Sequence, residues 1–171
     1  MSEIKEGNLT FSFPDSALAT KFDEWCFLKE YQKEHQGTKA VDILAMEDEL
    51  AKVCWFVEIK DYRDRPKIKL VELVNAVNQK VRDSLCVLDV AKTSAVGIER
   101  DCAHSASSVT HRRVVLHIEP LPSTSKIFPT TKDFPNLKML LKSRLNDIDP
   151  SPIVMYQQTK KSGVFWSVLQ N

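Results

Sequence analysis

Glycine is scarce, with four in 171 residues, and none sits in a glycine-rich loop, so the P-loop and dinucleotide-binding turns that need several close glycines are excluded. Paired cysteines are lacking as well. Cys26, Cys54, Cys86 and Cys102 stand far apart with no C-x-x-C, which argues for reduced thiols, most of them in apolar runs, rather than a disulfide framework. Cys102 with His104 would supply half a zinc site, but no second pair stands at ligand spacing. No run approaches the roughly 18 uninterrupted apolar residues of a membrane helix, and the opening MSEIKEGNLTFSF has glutamates where a signal peptide needs an apolar core. These absences predict a cytoplasmic chain with no membrane partner.

What is present is the ordinary balance of a folded protein, 43% hydrophobic and 27% charged, on a chain long enough to bury a core without staples. One domain over residues 1–171 is expected. The net charge of +1 hides an asymmetry: residues 1–58 hold six Lys and Arg against twelve Asp and Glu, residues 59–82 seven against three, and residues 83–171 eleven against eight. A basic block following an acidic one is usually a solvated face. Directly after a carboxylate cluster, it also suits a phosphodiester ligand.

Periodicity predicts a helix over 16–31, strands over 39–46 and 51–62 joined through a turn at 47–49, and a long helix over 68–91, where Leu70, Val74, Val77, Val81, Leu85 and Leu88 keep to one side. The small, polar stretch 93–108 reads as a loop with at most a short helix. A strand over 113–119, ended by Pro120 and Pro122, follows. A surface loop over 121–134, a basic helix over 135–145 begun by Pro135, and two short strands over 153–158 and 164–169, around Lys160, Lys161 and Gly163, complete the pattern. Leu9–Phe13 is a further candidate strand. The fold class expected is α/β, a central mixed β-sheet flanked by helices. Trp25, Trp55 and Trp166 read as core aromatics. His35, His104, His111 and His117 form no ligand pair on a helix.

Ionisable residues appear where the strand pair should be most apolar. Asp42 lies between Val41 and Ile43, and Glu58 and Lys60 alternate with Val57, Ile59 and Asp61. Residues i and i+2 of a strand share a face, so Glu58 and Lys60 project together and should meet Asp42 across a hairpin. Charges in such strands are costly unless paired or metal-bound. Two carboxylates make a hard oxygen site suited to Mg²⁺ or Mn²⁺, and the neighbouring ammonium suits charge building on a phosphate.

The pattern V-D-I, sixteen residues on to V-E-I-K, then a long helix, resembles the PD-(D/E)XK, or restriction-endonuclease-like, nuclease superfamily, although Val41 stands where the motif has proline. That resemblance implies a core of a helix, three strands, a helix and another strand. It also implies a Mg²⁺-dependent nuclease hydrolysing phosphodiester bonds, DNA ahead of RNA. It assigns Asp42 and Glu58 as metal ligands, with Ile59 in the metal set, and Lys60 as the essential lysine. Glu24 matches the acidic residue of the first helix, and Gln79 and Lys80 stand where the following helix faces the site. Arg63, Arg65 and Lys67 are the candidate nucleic-acid contacts. From its size the chain is expected to be a subunit, of a prokaryotic defence or mobile-element system, with a protein partner or as a homodimer. The alternative is a catalytically inactive module of the same fold that binds nucleic acid or a protein.

Overall fold

The strand Val53–Asp61 reads as an almost continuous apolar run because both of its faces are covered, and the whole architecture follows from what covers each. A computed structural model describes residues 1–48, 52–63, 69–120, 130–159 and 163–170. Its main sheet has five strands in the order β3 (Leu18–Lys21), β4 (Ile43–Met46), β5 (Val53–Asp61), β6 (His111–Glu119) and β7 (Ile153–Met155). The first three are antiparallel, and β6 and β7 run parallel to β5. A second, antiparallel sheet is formed by β1 (Ser2–Glu6), β2 (Leu9–Phe13) and β8 (Ser167–Gln170).

Cys54 and Phe56 of β5 face the helices, in a core with Leu28 of α1 (Cys26–Glu34), Val77 and Val81 of α2 (Leu70–Ser94), Ala103 of α3 (Gly97–Ser108) and Leu141 of α4 (Phe134–Leu145). Trp55, Val57 and Ile59 face the small sheet, among Phe11, Phe13 and Trp166. The expected α/β class with a mixed central sheet is what the chain forms, in three layers with helices on one face only.

Two expectations are corrected. The segment 16–31 is not one helix: Leu18–Lys21 pairs with β4, a short 3-10 turn spans Phe22–Glu24, and α1 starts only at Cys26. Sheet hydrogen bonding to an otherwise bare β4 edge outweighs a helical spacing of apolar residues. As a result α1 lies between the first and second of the three antiparallel strands, not ahead of them. The segment 93–108 is not a loop either. After a break at Ala95 and Val96, with Gly97 at φ +58°, α3 runs for twelve residues. Its small buried residues Cys102, Ala103 and Ala106 bring it close to α2. Glu99, in its first turn, accepts the Cys26 and Phe27 N–H groups at 2.8 and 2.9 Å, holding the start of α1.

Strand Leu9–Phe13 is present but belongs to the small sheet. Arg65, Lys67, Glu49, Lys160 and Lys161 lie outside the described residues, as does most of the expected loop 121–134. No helix among the described residues is long and apolar enough to cross a membrane.

Candidate phosphate and metal site

The site is built where β4 begins and β5 ends. Ile43 pairs with Val57, so one step further out Asp42 stands opposite Glu58, and its N–H donates to the Val57 carbonyl at 3.1 Å. Alternation sends Glu58 and Lys60 to the helix side with Phe56. Helix α2 is fixed over them at one turn. The Ser84 hydroxyl donates to the Lys80 carbonyl at 2.7 Å and accepts the Val41 N–H at 3.0 Å, and Asp83 accepts the Lys39 N–H at 2.9 Å. Lys80 is thereby set against the strands.

Its ammonium lies 3.1 Å from Asp42 Oδ1 and 2.8 Å from Glu58 Oε1. Lys60 pairs with the same Glu58 oxygen and donates to the Ile59 carbonyl at 3.3 Å. The remaining Asp42 oxygen accepts the Ile59 N–H at 2.6 Å. Glu58 is 1% exposed and Asp42 7%. Glu58 Oε2 is buried with no hydrogen-bond partner among the described residues. Burial and the neighbouring Asp42 charge push the Glu58 carboxyl above its ordinary range, against the pull of Lys60 and Lys80. Burial works against the charge of Lys80, but Glu58 and Asp42 outweigh it and keep the ammonium protonated. Tyr62 is pushed up to about 12, by burial and then by Glu58. Two carboxylates and two ammoniums therefore sit together with their formal charges balanced, carboxylate oxygens of the kind a cation takes beside ammoniums of the kind a phosphate takes.

The other expected residues are not all brought here. Glu24 lies in the 3-10 turn with its carboxylate paired to Lys21 at 2.6 Å, and Gln79 donates to Asp83 at 2.7 Å. Arg63 is folded back on Asp61, its Nε 2.9 Å from Oδ1. Among the described residues no group of three or more His, Cys, Asp or Glu is gathered as a metal cage; the oxygens that meet at this strand end are those of Asp42, Glu58 and the Ile59 carbonyl.

Asp23, the neighbour of Glu24, is the acid that responds to the site. Burial first, then the charges of Asp42 and Glu6, push its carboxyl up to about 6 from an ordinary 3.8. A carboxyl raised in the folded state binds a proton on folding. Its contribution is fully present below its unfolded value and is lost as pH rises through about 6. Asp23→Asn should therefore flatten the dependence of unfolding free energy on pH between about 4 and 6 and leave the protein relatively more stable at neutral pH. Urea unfolding across that range checks it; a slope equal to wild type would show that Asp23 is solvated.

Compared with known proteins, the chain is 31% identical to a cysteine–tRNA ligase of Neisseria meningitidis, over an alignment that takes in 80% of this chain. It spans about a quarter of that relative's length. No protein-family model matches, and no solved structure does.

The relative's name corrects the expected activity. It is a ligase for cysteine and tRNA, not a metal-dependent phosphodiesterase, so the nuclease reading and the defence-system role drawn from it do not stand. The physical reason for the error is plain: buried carboxylates beside lysines equip a site to handle phosphate and metal, and say nothing of whether a bond is cut.

Proposed function

We propose that this chain is a tRNA-directed module with a restriction-endonuclease-like core, holding a phosphate of the RNA at the Asp42, Glu58, Lys60 and Lys80 cluster and working with a protein partner in tRNA aminoacylation. The observation that carries this reading is the 31% identity, over four-fifths of the chain, to a cysteine–tRNA ligase. Support for the core comes from the antiparallel β3, β4 and β5, followed by α2 and the parallel β6, with the three motif residues at one strand end. The relative's substrate moves the choice of nucleic acid from DNA to RNA.

Mg²⁺ is the cofactor of this reading, held by Asp42, Glu58 and the Ile59 carbonyl. The residues fit it: Glu58 Oε2 is a buried oxygen without a partner among the described residues, and Mg²⁺ takes one or two carboxylates, leaving its other positions to water and phosphate. Its chemistry here is charge neutralisation of the bound phosphate. Lys60, with a side chain 31% exposed, supplies the second positive charge from the mouth of the site.

Binding of a cysteine tRNA transcript and of a DNA duplex of equal length, each in Mg²⁺ and in EDTA, tests the proposal. We expect the tRNA to bind at least about tenfold more tightly than the DNA. Lys60→Ala should weaken it and lower the salt slope by about one. Equal affinity for the two nucleic acids, or Mg²⁺-dependent breakdown of the RNA during titration, would overturn the reading.

A further inference from the structure

We propose that Lys80 is an internal competitor for the divalent cation of the Asp42 and Glu58 site, closing the two carboxylates when no metal is bound and expelled when one enters. The inference rests on the metal reading above. One ammonium already bridges the two carboxylates that would hold the metal, at 3.1 Å from Asp42 Oδ1 and 2.8 Å from Glu58 Oε1. A monovalent and a divalent cation cannot share that bridge, since they would lie within direct repulsive contact in a site largely shut off from water.

The charge balance gives the direction of the effect. Asp42 and Glu58 against Lys60 and Lys80 sum to zero, so a divalent ion arriving with both lysines in place leaves a buried excess of positive charge. One lysine has to go, and geometry selects which. Among the described residues Lys60 engages Glu58 and the adjacent Ile59 carbonyl. Lys80 engages both carboxylates, and it comes from α2 on a flexible four-carbon stem. Withdrawing its side chain leaves the helix in place, because Ser84 pins the Lys80 carbonyl and the Val41 N–H. Glu58 Oε2, buried and without a hydrogen-bond partner among the described residues, would be a further oxygen open to the metal. Lys80 thus sets a threshold of metal concentration below which the site stays closed.

Calorimetric titration of Mn²⁺ into the whole chain and into Lys80→Met, which keeps an unbranched stem one atom shorter and removes the charge, tests this. Mn²⁺ should bind Lys80→Met at least about tenfold more tightly than wild type, the loss of one competing cation. Glu58→Gln should abolish binding. Equal or weaker binding by Lys80→Met would overturn the competitor role, because a lysine that only braced the site would cost affinity when removed. Binding that survives both Asp42→Asn and Glu58→Gln, or no binding by any form, would instead overturn the metal reading and the competitor with it. If Lys80→Met does not fold, the wild type decides. The Lys80 ammonium resonance, followed by nitrogen-edited NMR, should move toward that of a solvated lysine as Mg²⁺ is added. A resonance unmoved at saturating metal would overturn the proposal.

Discussion

Replacing Lys80 by alanine should lower the unfolding free energy by about 3–5 kcal/mol in the absence of metal, the range for removing one partner of a buried ion pair. The loss arises less from the missing contacts than from what remains. Asp42 and Glu58, 7% and 1% exposed, would face each other with Lys60 as the remaining lysine of the cluster, and among the described residues the carboxylate that Lys60 pairs with is Glu58, not Asp42. The deficit should shrink as pH falls. Glu58 already has its carboxyl raised by burial and by Asp42, and without Lys80 it would rise further. Protonation then removes the repulsion, so the variant's stability is greatest below the ordinary glutamate range and declines as pH climbs through the raised value. Adding Glu58→Gln to Lys80→Ala should restore much of the loss at neutral pH. Urea unfolding of the single and double variants at pH 5 and 7 measures each part, and a loss under about 1 kcal/mol would mean that the cluster is hydrated and behaves as a surface pair.

Elements that were legible in the sequence are those whose hydrophobic pattern has one cause. In α2, the face Leu73, Val74, Val77, Val81 and Leu88 is buried against a single layer, so a 3.6-residue period appears without interference, and the helix expected over 68–91 occurs at Leu70–Ser94. β5 and β6 are apolar on both faces and rich in β-branched residues, and both lie close to their expected limits. The failures have two causes. Leu18, Phe22 and Leu28 are all packed in or against the helix-side core, yet they belong to a strand, a turn and a helix, so a spacing that looked continuous came from three elements. α3 was hidden because it buries cysteine and alanine, which leave little hydrophobic signal. β1, with the sequence SEIKE, has one buried residue, Ile4, and forms by pairing with β2 rather than through a pattern of its own.

The centre of the site was legible for a different reason. Charges inside apolar strands are expensive, so Asp42, Glu58 and Lys60 stood out before any register was known, and the pairing of Ile43 with Val57 then brought them together. Lys80 was found through its place on the helix after the motif. Asp23 was missed by one residue: had α1 begun early, Glu24 would have shared its face with the site, but in a strand and 3-10 turn the parity changes and the neighbouring carboxylate feels Asp42 instead. Ser84 gave no signal because a buried serine inside a helix looks like any other small polar residue. The reaction was not legible at all, since carboxylates and lysines at a strand end specify a charge distribution that many phosphate-handling proteins need.

Phe11→Ala should cost about 3–5 kcal/mol while leaving the charged site and its ligand binding intact, because Phe11 anchors the small sheet on the face of β5 and β6 opposite Glu58. The ring is fully buried and packs edge-on to His117 at 5.1 Å between centroids. His117 is itself fully buried, with Nε2 bonded to Glu119 at 2.8 Å and Nδ1 lacking a hydrogen-bond partner among the described residues. Truncation removes the aromatic contact and opens a cavity with one polar wall. Water entering to meet Nδ1 would hold the cost near the lower end of the range, since a cavity with a hydrogen-bonding group hydrates more readily than an apolar one. Phe11→Leu, which keeps most of the volume, should cost about 1–1.5 kcal/mol. Leu169, on β8 of the same sheet but 60% exposed, is the control, and Leu169→Ala should stay within about 0.5 kcal/mol of wild type. Denaturant midpoints at unchanged slope give these differences directly. A Phe11→Ala variant as stable as the Leu169 control would show that the small sheet is a loosely attached cover and that the five-stranded sheet with its helices carries the stability by itself.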